Sequence, residues 1–397
     1  MAGLTPPPST GEPIAPQSDL GRTYLIACLH SLLFQPASLP PPPVDLDWKH
    51  LLHWLNQEQL AGLFAHLARL HPGWLPAELS DRLIYYRFHQ LLRHADQSAR
   101  QARQVLSALR QRHIPLIVLK GWALVQLIYA GDYSQRAASD IDLLVLPGDV
   151  DQVAAILHSL GYRDLDLEPW PGYFCRFLNG SHFVSAPLEP GSGRVFNVDL
   201  HWGFPDPPYY DRRIALEALF ERAKSITIEG VEVGSLAVED TVIYASVHNA
   251  HHGYRETLSR YYDLAALIRM AGSSLNWEAL LGNAATWRVI LPLRRTLSEL
   301  DALWPGIIPP AVLGRLPGLK ASLSERLVDW GLSRSPNKEA ANILLSCWNT
   351  PGLLWRARFF LETAFPGPAY LRYYFGKAPG SLWPLLYFRR FIRFIRG

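Results

Sequence analysis

The stretch RAASDIDLLV at residues 136–145 decides how the chain is interpreted. Its apolar second half predicts a buried β-strand. Because residues two apart in a strand point to the same side, Asp140 and Asp142 lie together, while Ile141 and Leu143 face the core. Two carboxylates this close repel each other unless a cation lies between them. The stretch therefore predicts a metal-binding pair of acids; the alternative is an exposed strand end with two solvated acids.

A third acid is predicted on a neighbouring strand. Residues 195–201 alternate between apolar and polar side chains, which predicts a half-buried strand with Asp199 on its polar side, together with Asn197 and His201. Hard divalent ions such as Mg²⁺ prefer oxygen ligands of this kind. Three acids on adjacent strands can hold two such ions roughly 4 Å apart. The acids together therefore predict a two-metal site.

A Lys-Gly turn precedes these strands. Residues 114–119 form a short apolar, β-branched run that is typical of a buried strand, and a helix is predicted from Trp122 to Ala130. Lys120 and Gly121 stand between the two elements. An ammonium group there can bind phosphate as a point charge, glycine lets the backbone approach it, and a helix N-terminus favours anions. The alternative is that Lys120 only ends the strand.

Helical patterns flank this region on both sides. The helix predicted from Glu78 to Arg112 carries an apolar stripe, including Ile84 and Phe88, which we expect to face the core. Further strands are predicted near 162–167, 173–178 and 182–186, and a hairpin near 225–234 that turns at Glu229-Gly230. The predicted organisation has four parts: a disordered N-terminus at 1–16, a helical region at 17–112, an α/β core at 113–236, and a helical C-terminal region at 237–397.

Composition limits the class of protein. Of the 397 residues 49% are hydrophobic, so a sizeable core can be buried. The formal net charge of +3 requires neither nucleic acid nor membrane as a partner. The 3 cysteines lie at no metal-ligand spacing, which fits a reducing compartment. The chain shows no signal-peptide pattern and no apolar run near 18 residues. We therefore expect a cytoplasmic protein without a transmembrane span.

These features together resemble the DNA polymerase β-like nucleotidyltransferase superfamily, and they are most similar to a large bacterial group of uncharacterised nucleotidyltransferases. The resemblance runs from about residue 45 to the end of the chain. It rests on these stretches: IVLKG at 117–121, RAASDIDLLV at 136–145, VDLHW at 198–202, Glu239-Asp240, His248 and YYDL at 261–264. The resemblance implies an α+β fold in which a small mixed sheet is flanked by helices.

The resemblance also implies roles for individual residues. It makes Asp140, Asp142 and Asp199 the catalytic acids and the ligands of Mg²⁺ or Mn²⁺, and it places Asp199 where it can assist deprotonation of the acceptor. Lys120 and Gly121 then contact the nucleotide phosphates. The superfamily usually has Gly-Ser or Gly-Gly at this turn, and the Lys-Gly pair recurs in the uncharacterised group.

Arg136 is a further candidate for the nucleotide phosphates. Four residues before Asp140, its guanidinium could clamp a phosphate with two parallel hydrogen bonds. The alternative is a structural or surface arginine.

The implied reaction transfers a nucleotidyl group from an NTP, or a related activated nucleotide, to a hydroxyl or phosphate of an acceptor. The acceptor class is a small molecule or a modified peptide, because the group often occurs among enzymes that modify small peptides. One alternative is a non-catalytic nucleotide-binding or interaction module on a degenerate transferase fold, which the three intact acids disfavour. Another is an RNA-modifying, toxin-like nucleotidyltransferase, which the weak net charge disfavours.

Two helical positions give weaker signals. His248 and His252 are four residues apart on a predicted helix and could bind a metal ion. Asn249 stands where a zinc protease would have its glutamate, so structural or substrate-facing histidines are the alternative. Arg260 and Asp263, three residues apart, are predicted to form an ion pair.

The C-terminal tail is basic, since residues 366–397 contain no acid. In the segment 385–396 the apolar residues, including Phe388, lie on one side of a predicted helix and the arginines, including Arg389, on the other. Such a helix is typical of contact with an anionic membrane surface or with RNA. The alternative is a helix that closes the core and leaves its arginines in solvent.

Overall fold

The computed structural model describes residues 17–35, 38–93, 97–138, 140–165, 168–187, 195–204, 208–211, 213–334, 338–375 and 385–390. The segment predicted to be disordered, 1–16, lies outside them. Helices and one mixed sheet make up the described part of the chain, which is a mixed α/β architecture. No helix in these ranges is both long enough and apolar enough to cross a membrane.

Seven strands form the sheet: β1 (Leu116–Leu119), β2 (Asp140–Val145), β3 (Arg163–Asp164), β4 (Gly180–Val184), β5 (Asn197–His201), β6 (Lys224–Ile228) and β7 (Val231–Ser235). Their spatial order is β3-β4-β5-β2-β1-β7-β6. The two central neighbours of β2 differ in direction, because β1 runs antiparallel to it and β5 runs parallel. β2 is thus an interior strand that pairs with a neighbour on each side.

Helices precede the sheet, connect its strands and follow it. Those before and within the sheet are α1 (Gln17–Phe34), α2 (Trp48–Gln57), α3 (Ala61–Leu70), α4 (Ala77–Arg93), α5 (Ala99–Gln111), α6 (Lys120–Tyr129), α7 (Val150–Ser159), α8 (Tyr173–Phe177), α9 (Pro208–Asp211) and α10 (Leu216–Arg222). Those after it are α11 (Val238–His251), α12 (Leu258–Ala271), α13 (Trp277–Thr286), α14 (Ile290–Leu303), α15 (Pro310–Arg315), α16 (Leu323–Arg334), α17 (Lys338–Asn349), α18 (Leu353–Ala364) and α19 (Pro368–Phe375). A last helical segment covers 385–390.

The alternation predicted for the central strand is confirmed. In β2, Ile141 and Leu143 are completely buried, and they belong to the main hydrophobic core. The hairpin predicted near 225–234 is confirmed as β6 and β7. Its turn residues Glu229 and Gly230 both have positive φ, 49° and 79°. This is the conformation that lets a two-residue turn follow the right-handed twist of its strands.

Two predictions of local structure are wrong. Residues near 173–178 form the helix α8 rather than a strand, because Tyr173 and Phe177 pack one helical turn apart against Phe359. The apolar stripe of α4 does not face the core as a whole, since Phe88 is 56% exposed and Leu83 is fully buried.

A buried carboxylate connects the helices after the sheet to the α/β part. Asp263 on α12 accepts hydrogen bonds from the Tyr129 hydroxyl on α6 at 2.6 Å and from Arg136 Nε at 2.9 Å. The side chains of Asp263 and Arg136 are only 2% and 12% exposed. A buried charge without its partner destabilises a fold strongly. The ion pair therefore fixes the loop before β2 against α12.

We predict that Asp263→Ala lowers the free energy of unfolding by about 3–5 kcal/mol, because Arg136 stays buried without a counter-charge. The control is Glu78→Ala, which breaks the exposed ion pair with Arg82 and changes stability by about 0.5 kcal/mol or less. Urea unfolding followed by circular dichroism measures both. Equal losses in the two variants would show that the Asp263 pair contributes no more than a surface pair.

Candidate active site

The predicted acids meet on one face of two adjacent parallel strands. In the sheet register Asp142 on β2 lies beside Asp199 on β5, and His182 on β4 is the next residue along the same row. Neighbouring strands are about 4.8 Å apart, so the two carboxylates are direct neighbours. Asp140 is two residues before Asp142 and points to the same face. The structure therefore brings all three acids together.

Asp142 is buried and already paired with a cation. Its Oδ1 accepts a hydrogen bond from Lys120 Nζ at 2.6 Å and lies 3.2 Å from His201 Nε2, and its side chain is 4% exposed. Burial disfavours the charged carboxylate, but the Lys120 ammonium and the His201 imidazole outweigh it and hold the pKa of Asp142 at about 2. Asp142 is thus ionised, and Lys120 supplies the cation that a close pair of acids requires.

Asp199 has a different partner. Its Oδ1 lies 2.7 Å from His182 Nδ1, and its side chain is 20% exposed. Within the described residues, no hydrogen bond or ion pair engages the second oxygen, Oδ2, of either Asp142 or Asp199. Each acid therefore keeps one carboxylate oxygen for a ligand.

The turn between β1 and α6 holds Lys120 over Asp142. Lys120 has a φ of +50°, the left-handed conformation that side chains with a Cβ rarely adopt. Such strain persists only where the surrounding structure requires it, and it clusters at functional sites. The next residue, Gly121, is closely packed, because a Cβ there would lie 3.2 Å from Cβ of Ala138, which would have to shift by a few tenths of an ångström. The turn is therefore packed against the loop that leads into β2.

A cavity of about 350 Å³ opens above this turn. Five of the six residues predicted for the site line it: Lys120, Gly121, Arg136, Asp140 and Asp142. The sixth, Asp199, lies beside Asp142 on the neighbouring strand β5. The opposite wall belongs to α11, α12 and the loop between them: Tyr244, His248, Asn249, Glu256, Arg260 and Tyr261. Asp140 and Asp142 thus lie on one side of the cavity and Glu256 on the other, and cations reach into it from both.

Lys120 remains charged in this setting. Burial disfavours its ammonium form, but the adjacent Tyr244 and Asp142 side chains outweigh burial and raise the pKa. Arg136 also lines the cavity, but its Nε is engaged by Asp263 and its Nη1 donates to the Ala137 carbonyl at 3.1 Å. Within the described residues only Nη2 of Arg136 has no such partner. The two-pronged clamp predicted for this arginine would therefore require it to give up a structural contact.

The ion pair predicted between Arg260 and Asp263 is wrong. Arg260 Nη1 instead donates to both oxygens of Glu256, at 2.9 and 2.8 Å, and to His248 Nε2 at 2.8 Å. Asp263 instead accepts a hydrogen bond from Arg136, in the loop before β2. Burial, followed by the charge of Lys120, lowers the pKa of His248 to about 2, so this imidazole is neutral and can accept a hydrogen bond.

His248 and His252, predicted as a metal-binding pair, are joined by Glu256. One ligand atom from each of the three residues lies within 4.8 Å of the others. The guanidinium of Arg260, however, already contacts His248 and both oxygens of Glu256. An ion at this cluster would have to displace Arg260, so the cluster holds an arginine at the cavity wall.

The prediction from sequence missed three polar residues of the site. His201 could have been found, because it follows Asp199 by two residues and shares its side of β5. His182 reaches Asp199 only through the pairing of β4 with β5. Glu256 could also have been found, because it stands four residues before Arg260 and their contact is local in the sequence. Only the contact of His182 with Asp199 depends on tertiary structure.

Comparison with known proteins gives one finding of similarity. No curated protein and no solved structure matches the chain. The family model described as uncharacterised nucleotidyltransferase matches residues 45–305, which include the whole sheet and the helices that line the cavity. The match covers more than half of the 397 residues. The chain therefore belongs to the family of uncharacterised nucleotidyltransferases and is an enzyme of the nucleotidyltransferase type.

Proposed function

We propose that the protein is a divalent-metal-dependent nucleotidyltransferase with a polymerase β-like core. It transfers a nucleotidyl group from an NTP, or a related activated nucleotide, to a hydroxyl or phosphate of a small molecule or modified peptide. One observation carries the proposal: Asp142 and Asp199 lie in register on adjacent parallel strands, with Asp140 on the same face, at a cavity lined by cationic side chains. Acids and cations in one cleft suit a metal–polyphosphate ligand.

The residues present fit Mg²⁺ or Mn²⁺. Their ligand atoms are carboxylate oxygens, which hard divalent ions prefer, and Oδ2 of Asp142 and of Asp199 has no partner in the described part of the chain. Asp140, Asp142 and Asp199 would hold the ions. Once bound, such ions supply activation of the attacking oxygen and stabilisation of charge on the leaving pyrophosphate.

The remaining site residues bind and position the reactants. Lys120 and Arg260 reach the cavity from opposite walls and neutralise phosphate charge, with Arg136 beside them. The backbone at Gly121 lies at the N-terminus of α6, where phosphate oxygens are favoured. Asp199 assists deprotonation of the acceptor. The acceptor oxygen then forms a bond to the α-phosphorus, and the bond to pyrophosphate breaks.

The test is an assay of the purified protein with each NTP, several nucleotide sugars and Mg²⁺ or Mn²⁺, with products identified by mass spectrometry. We expect pyrophosphate release and a nucleotidylated acceptor, and we expect Asp199→Asn to lower the rate by about 10³-fold or more. Asp199→Asn leaves the Lys120–Asp142 pair intact, so its folding can be verified by its melting temperature. Tight nucleotide binding without turnover would instead support a non-catalytic nucleotide-binding module.

Metal binding can be tested apart from turnover. We predict that Mn²⁺ raises the melting temperature of the wild type and not that of Asp199→Asn, because only a ligand of the folded state adds stability. Without metal, Asp142→Asn should melt lower than the wild type, since Lys120 loses its buried partner. Differential scanning fluorimetry with and without Mn²⁺ gives both results. A wild type that does not respond to Mn²⁺ contradicts the metal assignment.

Lys120 is predicted to contribute to nucleotide binding as well as to folding. Lys120→Met should weaken nucleotide affinity by about tenfold or more, the loss expected for a charge-assisted contact. It should also lower the melting temperature, because Asp142 keeps its charge in a buried position. Isothermal titration calorimetry measures the affinity, and Lys49→Met, which removes an exposed lysine, is the matched control. Unchanged affinity in Lys120→Met leaves this lysine with a structural role only.

The basic C-terminal tail is proposed to affect location or partners rather than chemistry. Its described part, 385–390, contacts the end of α18 through the Tyr387 and Arg390 side chains, away from the residues that line the cavity. Residues 391–397 lie outside the described part. Deletion of residues 380–397 should leave turnover of a soluble substrate unchanged. A truncated protein that melts like the wild type but shows no turnover would refute this assignment.

A further inference from the structure

Helix α16 has an apolar face that no other part of the described chain covers. Leu323, Leu327 and Trp330 are 74%, 57% and 59% exposed, and their spacing of four and three residues places them on one side. The opposite side of α16 is buried and includes Val328. A helix that merely completes a core would show the reverse, with its apolar residues inside.

The next two helices repeat this pattern. On α17, Leu344 and Trp348 are one helical turn apart and are 62% and 72% exposed. On α18, Leu353 and Phe360 are 81% and 51% exposed, on the side opposite the buried Phe359. α17 packs against both α16 and α18, so the three exposed faces belong to one packed unit. This unit follows residue 305, where the family match ends.

A basic pocket adjoins the apolar face of α16. It has a volume of about 370 Å³, and Arg294, Lys320 and Arg326 line it together with the exposed Trp330. None of these three cationic groups forms a hydrogen bond or ion pair with another described residue, whereas Arg295, at the same pocket, is paired with Asp329. The acid that lines the pocket, Asp329, is engaged by Arg295, so the three other cations have no partner acid among the described residues. Next to an exposed tryptophan, they indicate a site for an anion at an interface.

The distribution of charge identifies the occupant. Residues 353–397 contain eight Lys and Arg residues and one acid, so the preceding 352 residues carry a net charge of −4 within the total of +3. Because α16 and α17 precede residue 353, it is the pocket and the segment from residue 353 onward that make this end of the chain basic. A second copy that used the same surface would bring these cations close to those of the first copy, which repels. RNA would use the cations and stack bases on the tryptophans, but it would leave the exposed leucines in water. An anionic lipid surface takes both, because apolar and aromatic side chains enter the headgroup boundary while cations contact phosphates.

We propose that α16, α17 and α18 bind the surface of an anionic membrane, and that the pocket formed by Arg294, Lys320 and Arg326 receives a phosphate-bearing lipid headgroup. The enzyme would lie on the membrane without crossing it. This inference rests on these three helices and the adjoining pocket and does not depend on the nucleotidyl transfer reaction.

The test is co-sedimentation of the full-length protein with vesicles of phosphatidylcholine alone and of equal parts phosphatidylcholine and phosphatidylglycerol. We expect binding to the mixed vesicles, weak binding to phosphatidylcholine alone, and a loss of affinity as salt is added. Lys320→Gln with Arg326→Gln should reduce binding by about 30-fold, the effect expected of two surface cations. The charge-matched control is Lys49→Gln with Arg69→Gln, at exposed positions on α2 and α3, which should bind like the wild type.

The apolar face is tested by Leu323→Ser with Leu327→Ser and Trp330→Ser. These residues are exposed, so the variant should melt like the wild type while it binds mixed vesicles at least about tenfold more weakly. The matched control is Tyr85→Ser with Phe88→Ser, two exposed aromatic residues on α4, which should leave binding unchanged.

Four outcomes would overturn the proposal. One is equal binding of the wild type to the two kinds of vesicle. Another is an equal loss of vesicle binding in Lys320→Gln with Arg326→Gln and in the control Lys49→Gln with Arg69→Gln. A third is a wild-type dimer that the serine variant converts to a monomer, which would make this face an interface between copies. The last is binding of single-stranded RNA that Lys320→Gln with Arg326→Gln abolishes while vesicle binding persists.

Discussion

The ion pair between Lys120 and Asp142 is the contact on which the site depends. Asp142 is buried in the centre of the sheet, and a buried carboxylate is tolerated only with a cation at hydrogen-bonding distance. That cation comes from a turn in the left-handed conformation, which Gly121 packs closely against Ala138. The pair therefore ties the end of β1, the start of α6 and the middle of β2 to one another. This connection fixes the relative positions of Lys120, Gly121 and Asp142, which line the cavity.

Local periodicity was enough to predict the strands that carry the acids, because alternation in β2 and β5 is a property of the sequence itself. The partners of the acids were harder to predict. Asp263 meets Arg136 across 127 residues, and no local pattern distinguishes that partner from Arg260, three positions away on the same helix. Likewise, His182 becomes a neighbour of Asp199 only when β4 pairs with β5. The family resemblance was enough to predict the order of the elements, whereas these two pairs are visible only in the tertiary structure.

The incorrect predictions have a common physical origin. A short apolar run is compatible with either a strand or a helix, and tertiary contacts decide between them. In α8 the deciding contact is with Phe359, which is far away in the sequence. In α4 the apolar residues are in the expected numbers, but the buried side includes Leu83 rather than Phe88. Periodicity predicts that a helix has an apolar side without predicting which side the rest of the protein covers.

The tether on Lys120 has a consequence for any ion that approaches Asp142. An ammonium group attached to the same chain is present at the carboxylate at a high effective concentration, and it does not dilute away as a free ion does. A divalent cation that arrives alone can use the free Oδ2, but the ammonium held at Oδ1 repels it. A divalent cation that arrives bound to a polyphosphate brings anionic phosphate groups with it. The Lys120 ammonium can then move from Asp142 to one of these phosphates and still have a counter-charge. The divalent cation and the polyphosphate would then bind with positive cooperativity, even though they contact different side chains of the protein.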